Sequence, residues 1–100
     1  MLSWLKNKAE AAQRKNVERT LRLLVQAADK ADAQIERSGQ ADPADQNRVG
    51  SLQRALLKDL IGPAPVEQLE EDYLKPLRND PEATEGAKLA VEHVFRTAKQ

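Results

Sequence analysis

Residues 17–35, VERTLRLLVQAADKADAQI, place apolar side chains at Val17, Leu21, Leu24, Ala28, Ala31 and Ile35. The steps alternate between four and three, the spacing of one buried face of an α-helix. Followed upstream, the same line reads Arg14, Glu10, Asn7 and Ser3. The buried face therefore stops at Val17 while the helical pattern runs on. The spacing predicts an all-α fold, a small bundle of three to four helices with a long first helix. The N-terminal part of that helix, residues 1–16, extends beyond the core as a basic amphipathic arm, and residues 17–100 form the bundle. An unbroken helix from Ser3 to Ser38 would be roughly 54 Å long, whereas a compact 100-residue domain has a radius of gyration of about 13 Å.

Turn residues divide the rest of the chain. Gly39 suits the left-handed position after a helix. Asp42-Pro43 opens a second helix, with Asp as N-cap and Pro at the first helical position. Gly62-Pro63 closes it, Pro65 opens a third, and Asp80-Pro81 repeats the cap-and-proline signal for a fourth. The helices are read as 17–38, 43–61, 65–79 and 81–99. Leu57 and Ile61 widen the apolar stripe of the second. Pro76 removes a backbone donor, so the third ends or bends near Lys75. Gly86 weakens the first turns of the fourth.

Composition limits the possibilities. Of 40 apolar residues 15 are Ala, and Trp, Tyr and Phe occur once each, which leaves a modest core for one domain. Sixteen basic residues balance sixteen acidic ones, which argues against bulk nucleic-acid binding. No Cys is present, so disulfides, Cys-ligated zinc and thiol catalysis are excluded. No apolar run approaches the roughly 18–20 residues of a membrane span. The first residues lack the apolar core of a secretory signal, and Leu2 excludes myristoylation. The expectation is a soluble, uncleaved, cytoplasmic chain.

No chemical motif emerges. His93, the single His, sits among Val91, Val94 and Phe95 and reads as a boundary residue. No Gly-Lys-Ser/Thr follows Gly39 or Gly50, and Ser51 lacks a nucleophile-elbow context. Asp42, Asp45 and Asn47 lack calcium-loop spacing, and the run Glu70-Glu71-Asp72 faces several directions around a helix. The expectation is a chain that is not an enzyme and holds no cofactor or metal.

Charge and the single Trp mark a partner surface instead. Residues 1–22 carry a balance of +4 and residues 63–86 a balance of −5. Leu2, Leu5, Ala9 and Ala12 form a second stripe, continued by Leu23 and Ala27, and a ladder of alternating sign runs through Lys6, Glu10, Arg14, Glu18 and Arg22. Trp4 and Leu5 have three readings: folded back on the bundle end, buried against a protein, or inserted at a membrane interface beside Lys6 and Lys8. The function expected is a protein-protein interaction module (an adaptor, subunit, chaperone or inhibitor) that self-associates as a possible homodimer. The partner-binding residues expected are Leu2, Trp4, Leu5, Arg14, Lys15, Arg19 and Arg22 on the arm side, and Glu67, Glu70 and Glu71 on the acidic side. Close approach of a second copy would use Ala27, Ala28 and Ala31, and deletion of residues 1–15 should leave the bundle folded. Two other readings follow: nucleic-acid binding through the basic first helix, and attachment to a membrane surface.

Overall fold

A computed structural model describes residues 2–100, with side chains from residue 3 onward. The first helix, α1, is unbroken over Leu2–Ser38. Gly39 then takes φ 75°, the left-handed conformation that a residue without a Cβ adopts freely. Asp42 caps α2 (Pro43–Asp59) by accepting from the Ala44 backbone N–H at 2.9 Å. The third helical stretch, α3, joins α-helical Val66–Leu69, π-helical Glu70–Leu74 and α-helical Lys75–Arg78. The last helix, α4, is Glu85–Ala98, and no strand occurs among the described residues.

Side-chain pairings set the topology. Asp59 at the end of α2 meets Thr20, while Asp45 near its start meets Lys30, so α2 runs antiparallel to α1. On α3, Asp72 and Tyr73 meet Arg14 and Glu18, so α3 runs parallel to α1. Thr84 at the start of α4 meets Asp29 and Asp32, so the chain alternates up and down. The core gathers Val17 and Leu24 of α1, Leu56 and Leu60, Ala64, Leu69, Leu74 and Leu77 of α3, and Val91, Val94 and Phe95 of α4. Ala27 and Ala28 are buried inside it, which removes them from any surface that a second copy could approach.

Two sequence expectations are corrected and one open alternative is decided. Helix 3, read as 65–79 with an end or a bend near Lys75, is distorted there and continues past Pro76 to Arg78. The Lys75 N–H reaches back to the Glu70 carbonyl, a turn one residue wider than α. That wider turn lets the helix pass a residue that has no N–H to give. Asp80-Pro81 does not cap helix 4. Asp80 closes a tight turn by accepting from the Glu82 N–H at 2.9 Å, and Thr84 is the cap, accepting from the Ala87 N–H at 3.1 Å. Of the apolar positions assigned to stripes, Ile61 is 79% exposed and Ile35 39%. Ile61 falls just beyond α2, where the chain has left the helix, and Ile35 lies in the last turn of α1, beyond the end of the core.

The molecule measures 56 × 26 × 23 Å with a radius of gyration of 14.7 Å. A 37-residue helix is about 55 Å long, so α1 alone accounts for the long axis. The body stops well short of the start of that helix.

Candidate interaction site

The inner edge of the projection is set by a glutamine. Gln13 is 7% exposed and clasps the loop that follows α2. Its Oε1 accepts from the Ala64 N–H at 2.9 Å, and its Nε2 donates to the carbonyls of Asp59 at 3.2 Å and Ala64 at 3.5 Å. Gly62 makes room for this clasp, since a Cβ there would fall 2.6 Å from the Gln13 Cδ. The arm thus begins upstream of Gln13, not at residue 16. A polar residue holds this level of the helix, so apolar periodicity alone did not mark it as buried.

Beyond Gln13 the helix runs roughly 16 Å further to Leu2. Trp4 is 63% exposed and Leu5 55%, so neither folds back to cap the bundle. The Lys8 ammonium lies 5.4 Å from the centre of the Trp4 ring, one turn away, a cation–π pair worth about 0.5–1 kcal/mol at an exposed site. Ala9 and Ala12 are also exposed. A rotation of 100° per residue puts Ala9 within roughly 20° of Thr20, on the side that packs against α2 further along. Leu5, Ala9 and Ala12 therefore form an exposed apolar flank on the arm, next to the level at which Gln13 clasps the loop that carries the exposed Ile61. The side chain of Leu2, expected to join it, lies outside the described residues.

The other expected partner residues divide into two groups. Arg14, Glu70 and Glu71 are engaged within the molecule. Arg14 donates to Asp72 at 2.8 Å and pairs with Glu10 at 3.5 Å, Glu70 meets Lys99 at 2.6 Å, and Glu71 meets Lys75 at 3.6 Å. Of the alternating ladder on α1 only the Glu10–Arg14 rung forms, because Arg14 also reaches α3 and Glu18 accepts from the Tyr73 hydroxyl at 3.0 Å. Lys15, Arg19, Arg22 and Glu67 remain exposed, and among the described residues none of them lies within ion-pair distance of an opposite charge.

Arg14, Glu18, Asp72 and Tyr73 form a polar joint between α1 and α3. The Arg14 guanidinium is 5.9 Å from the Tyr73 ring centre, and Tyr73 and Asp72 together raise its affinity for its proton. Burial pushes the Tyr73 hydroxyl above its ordinary value of 10, Glu18 adds to the effect, and Arg14 opposes it. A raised folded-state value means that the folded chain holds the proton more tightly than the unfolded chain. The stability gained is complete below pH 10 and is lost as pH rises through the folded value. Alkaline titration of absorbance at 295 nm, which reads this single Tyr, should give a midpoint above 10 that moves down toward 10 in Glu18→Gln. A midpoint at or below 10 in the native chain would refute the joint.

A cleft of about 220 Å³ opens between α1, α2 and α4 at the opposite end of the body, lined in part by Asp32, Gln53 and Gly86. Its polar groups have structural work. Gln53 donates to the Ala90 carbonyl at 3.1 Å. Asp32 lies 2.8 Å from the Thr84 hydroxyl, and Asp29 lies 2.9 Å from it, so one proton serves two carboxylates in turn. Both carboxylates sit at the positive end of α4. Sequence reading missed this arrangement, whose signal was the pair Asp29 and Asp32 three residues apart on α1. His93 is exposed and borders a smaller recess of about 160 Å³.

No protein-family model, no curated protein and no solved structure matches the chain. The site is therefore read from its own geometry. Among the described residues no helix is long and apolar enough to cross a membrane.

Proposed function

We propose that this chain is a non-enzymatic protein-interaction module, an adaptor whose four-helix body presents the projecting part of α1 to an amphipathic helix of another protein. One observation carries the reading: α1 outruns the body and exposes Leu5, Ala9 and Ala12 there, above the loop that Gln13 clasps and that carries an Ile61 79% exposed. An apolar flank projecting from a small, highly charged molecule marks an interaction surface. Leu5, Ala9 and Ala12 form the seam, and the small alanines allow a partner helix to approach closely. The setting we propose is cytoplasmic, with which a chain without Cys is compatible.

Charge selects the occupant. Lys6, Lys8 and Lys15 flank the seam. Two copies of the arm laid together would bring the lysines of one beside those of the other, and like charges across a helix pair oppose association. A partner helix carrying Glu or Asp at its flanking positions turns the same residues into attraction. The second copy expected from sequence is thus the weaker occupant, the more so because Ala27 and Ala28 are spent inside the bundle.

The test uses a synthetic amphipathic peptide with Leu on one face and Glu on both flanks, and a control with Lys in place of Glu. The Glu peptide should bind the full chain and raise its helicity by circular dichroism. Leu5→Glu should weaken binding at least tenfold, the scale of losing one anchoring side chain. Equal binding of the two peptides, or none of either, would refute the reading. Light scattering that finds a dimer dissociated by Leu5→Glu would install a second copy in place of the foreign helix.

A further inference from the structure

The side of α1 turned away from the bundle carries a separate feature. At 100° per residue, Trp4, Lys8, Lys15, Arg19 and Arg22 fall within a sector of about 60° on the face turned away from the bundle. All five are exposed. The sector runs about 27 Å from Trp4 to Arg22 and contains no acidic residue. The two acids of this stretch are held elsewhere: Glu10 pairs with Arg14, and Glu18 accepts from Tyr73. Among the described residues, no carboxylate comes within 4.0 Å of Lys8, Lys15, Arg19 or Arg22. The acids of α3 that could have neutralised them internally are already paired, Glu70 with Lys99, Glu71 with Lys75 and Asp72 with Arg14. Because α1 is one continuous helix, these four charges are arrayed in a straight, stiff line before any partner arrives.

We propose that this outer face of α1 docks flat on an anionic lipid bilayer, with Trp4 at the interface and Lys8, Lys15, Arg19 and Arg22 over the headgroup phosphates. The shape of the charged sector selects a bilayer over a nucleic acid. A flat surface meets the outermost sector alone. A nucleic-acid groove would also enclose the flanks of the helix and bring phosphates against Glu18 and the Asp72 carboxylate on one side, where they repel. Trp4 suits the boundary between headgroups and acyl chains, where an apolar ring with one polar N–H is favoured. The Lys8 ammonium over its ring comes to the same depth as the headgroups. Four basic residues near an anionic surface raise partitioning roughly a thousandfold over a neutral one, and the effect fades beyond a Debye length of about 8–10 Å. This inference does not use the apolar seam, which lies about a quarter turn away on α1; Lys8 and Lys15 border both faces, and the adaptor reading can fail while this one stands.

The experiment takes the full chain with vesicles of phosphatidylcholine containing about 30% phosphatidylserine, and with pure phosphatidylcholine, at about 0.1 M salt. Trp4 is the only Trp in the sequence, so its emission reports docking directly. The expected result is a blue shift and co-sedimentation with the anionic vesicles alone, both weakened at least tenfold at about 1 M salt. The double variant Lys15→Glu/Arg22→Glu, changed at two exposed and unpaired positions, should keep the native circular dichroism and bind at least a hundredfold more weakly. Trp4→Ala should retain salt-sensitive sedimentation with lower affinity. An unchanged spectrum with anionic vesicles would overturn the proposal, as would equal binding to pure phosphatidylcholine or full binding by the charge-reversed variant. A short DNA duplex that displaces the vesicles at equal salt would replace the bilayer with a nucleic acid.

Discussion

Gln13→Ala is expected to destabilise the chain by about 2–3 kcal/mol, a fall in Tm of roughly 10–20 °C for a domain of this size. The cost does not come from apolar contact. Ala64 is 1% exposed, and its N–H has Gln13 Oε1 as acceptor at 2.9 Å. Removing the amide leaves that donor buried and unpaired, a desolvation cost of about 1–3 kcal/mol, and frees the Asp59 and Ala64 carbonyls as well. Gln13→Glu separates these contributions. It keeps an acceptor for the Ala64 N–H but sets a carboxylate against two carbonyl oxygens, so it should not rescue stability. Truncation maps the same boundary. Deletion of residues 1–9 leaves Glu10, Arg14 and the clasp in place and should alter stability by no more than about 0.5 kcal/mol, as surface changes do. Deletion of residues 1–15 removes the clasp and should be destabilised at least as much as Gln13→Ala. Chemical denaturation of the four variants checks this, and native stability after the longer deletion would show that Gln13 holds nothing.

Gly86→Ala should change sign with its background. Alanine is favoured over glycine inside a helix by about 1 kcal/mol, so at an open site this exchange would stabilise α4. Here the new Cβ would lie 2.7 Å from the Asp32 Cγ. The short Asp32 side chain can swing away only by giving up the Thr84 hydroxyl at 2.8 Å, which leaves Asp29 at 2.9 Å as its one acceptor. A hydrogen bond to a charged group is worth about 1.5–3 kcal/mol, of which Asp29 keeps a part, so against the helix preference of alanine the exchange should cost about 0.5–1 kcal/mol net. In an Asp32→Ala background the obstruction is gone, and the same exchange should stabilise by about 0.5–1 kcal/mol. A double-mutant cycle by thermal denaturation reads the reversal directly. Destabilisation of equal size in both backgrounds would mean that Gly86 is required by something other than Asp32.

Much of the fold was legible because periodicity and turn chemistry are local. The stripe from Val17 to Ala28, the left-handed Gly39 and the Asp42 cap each depend on residues within a turn or two of one another. The departures came where a local signal had a competitor. Asp80-Pro81 has the chemistry of a helix cap, but it is spent on a turn, because Thr84 is placed to receive Asp29 and Asp32 from α1. Pro76 has the chemistry of a helix end, yet core burial of Leu74 and Leu77 on either side of it favours a widened turn over a break. Of the candidate site, Trp4, Leu5, Lys15, Arg19 and Arg22 were readable as an arm with a charge excess. The withdrawal of Arg14, Glu70 and Glu71 into internal pairs was not, since their partners are 29 to 58 residues away along the chain in two of the three cases.

The sequence by itself determined that the chain is all helical, that its first helix outlasts its core, and that basic charge gathers on that helix. These follow from spacing and composition, which need no knowledge of neighbours. Only the tertiary structure decided where the core ends and which charges are left over. Gln13 is buried because the loop after α2 crosses α1 at that level and needs its amide. Lys8, Lys15, Arg19 and Arg22 are left unpaired because α3 packs on the other side of α1, where it meets Arg14 instead.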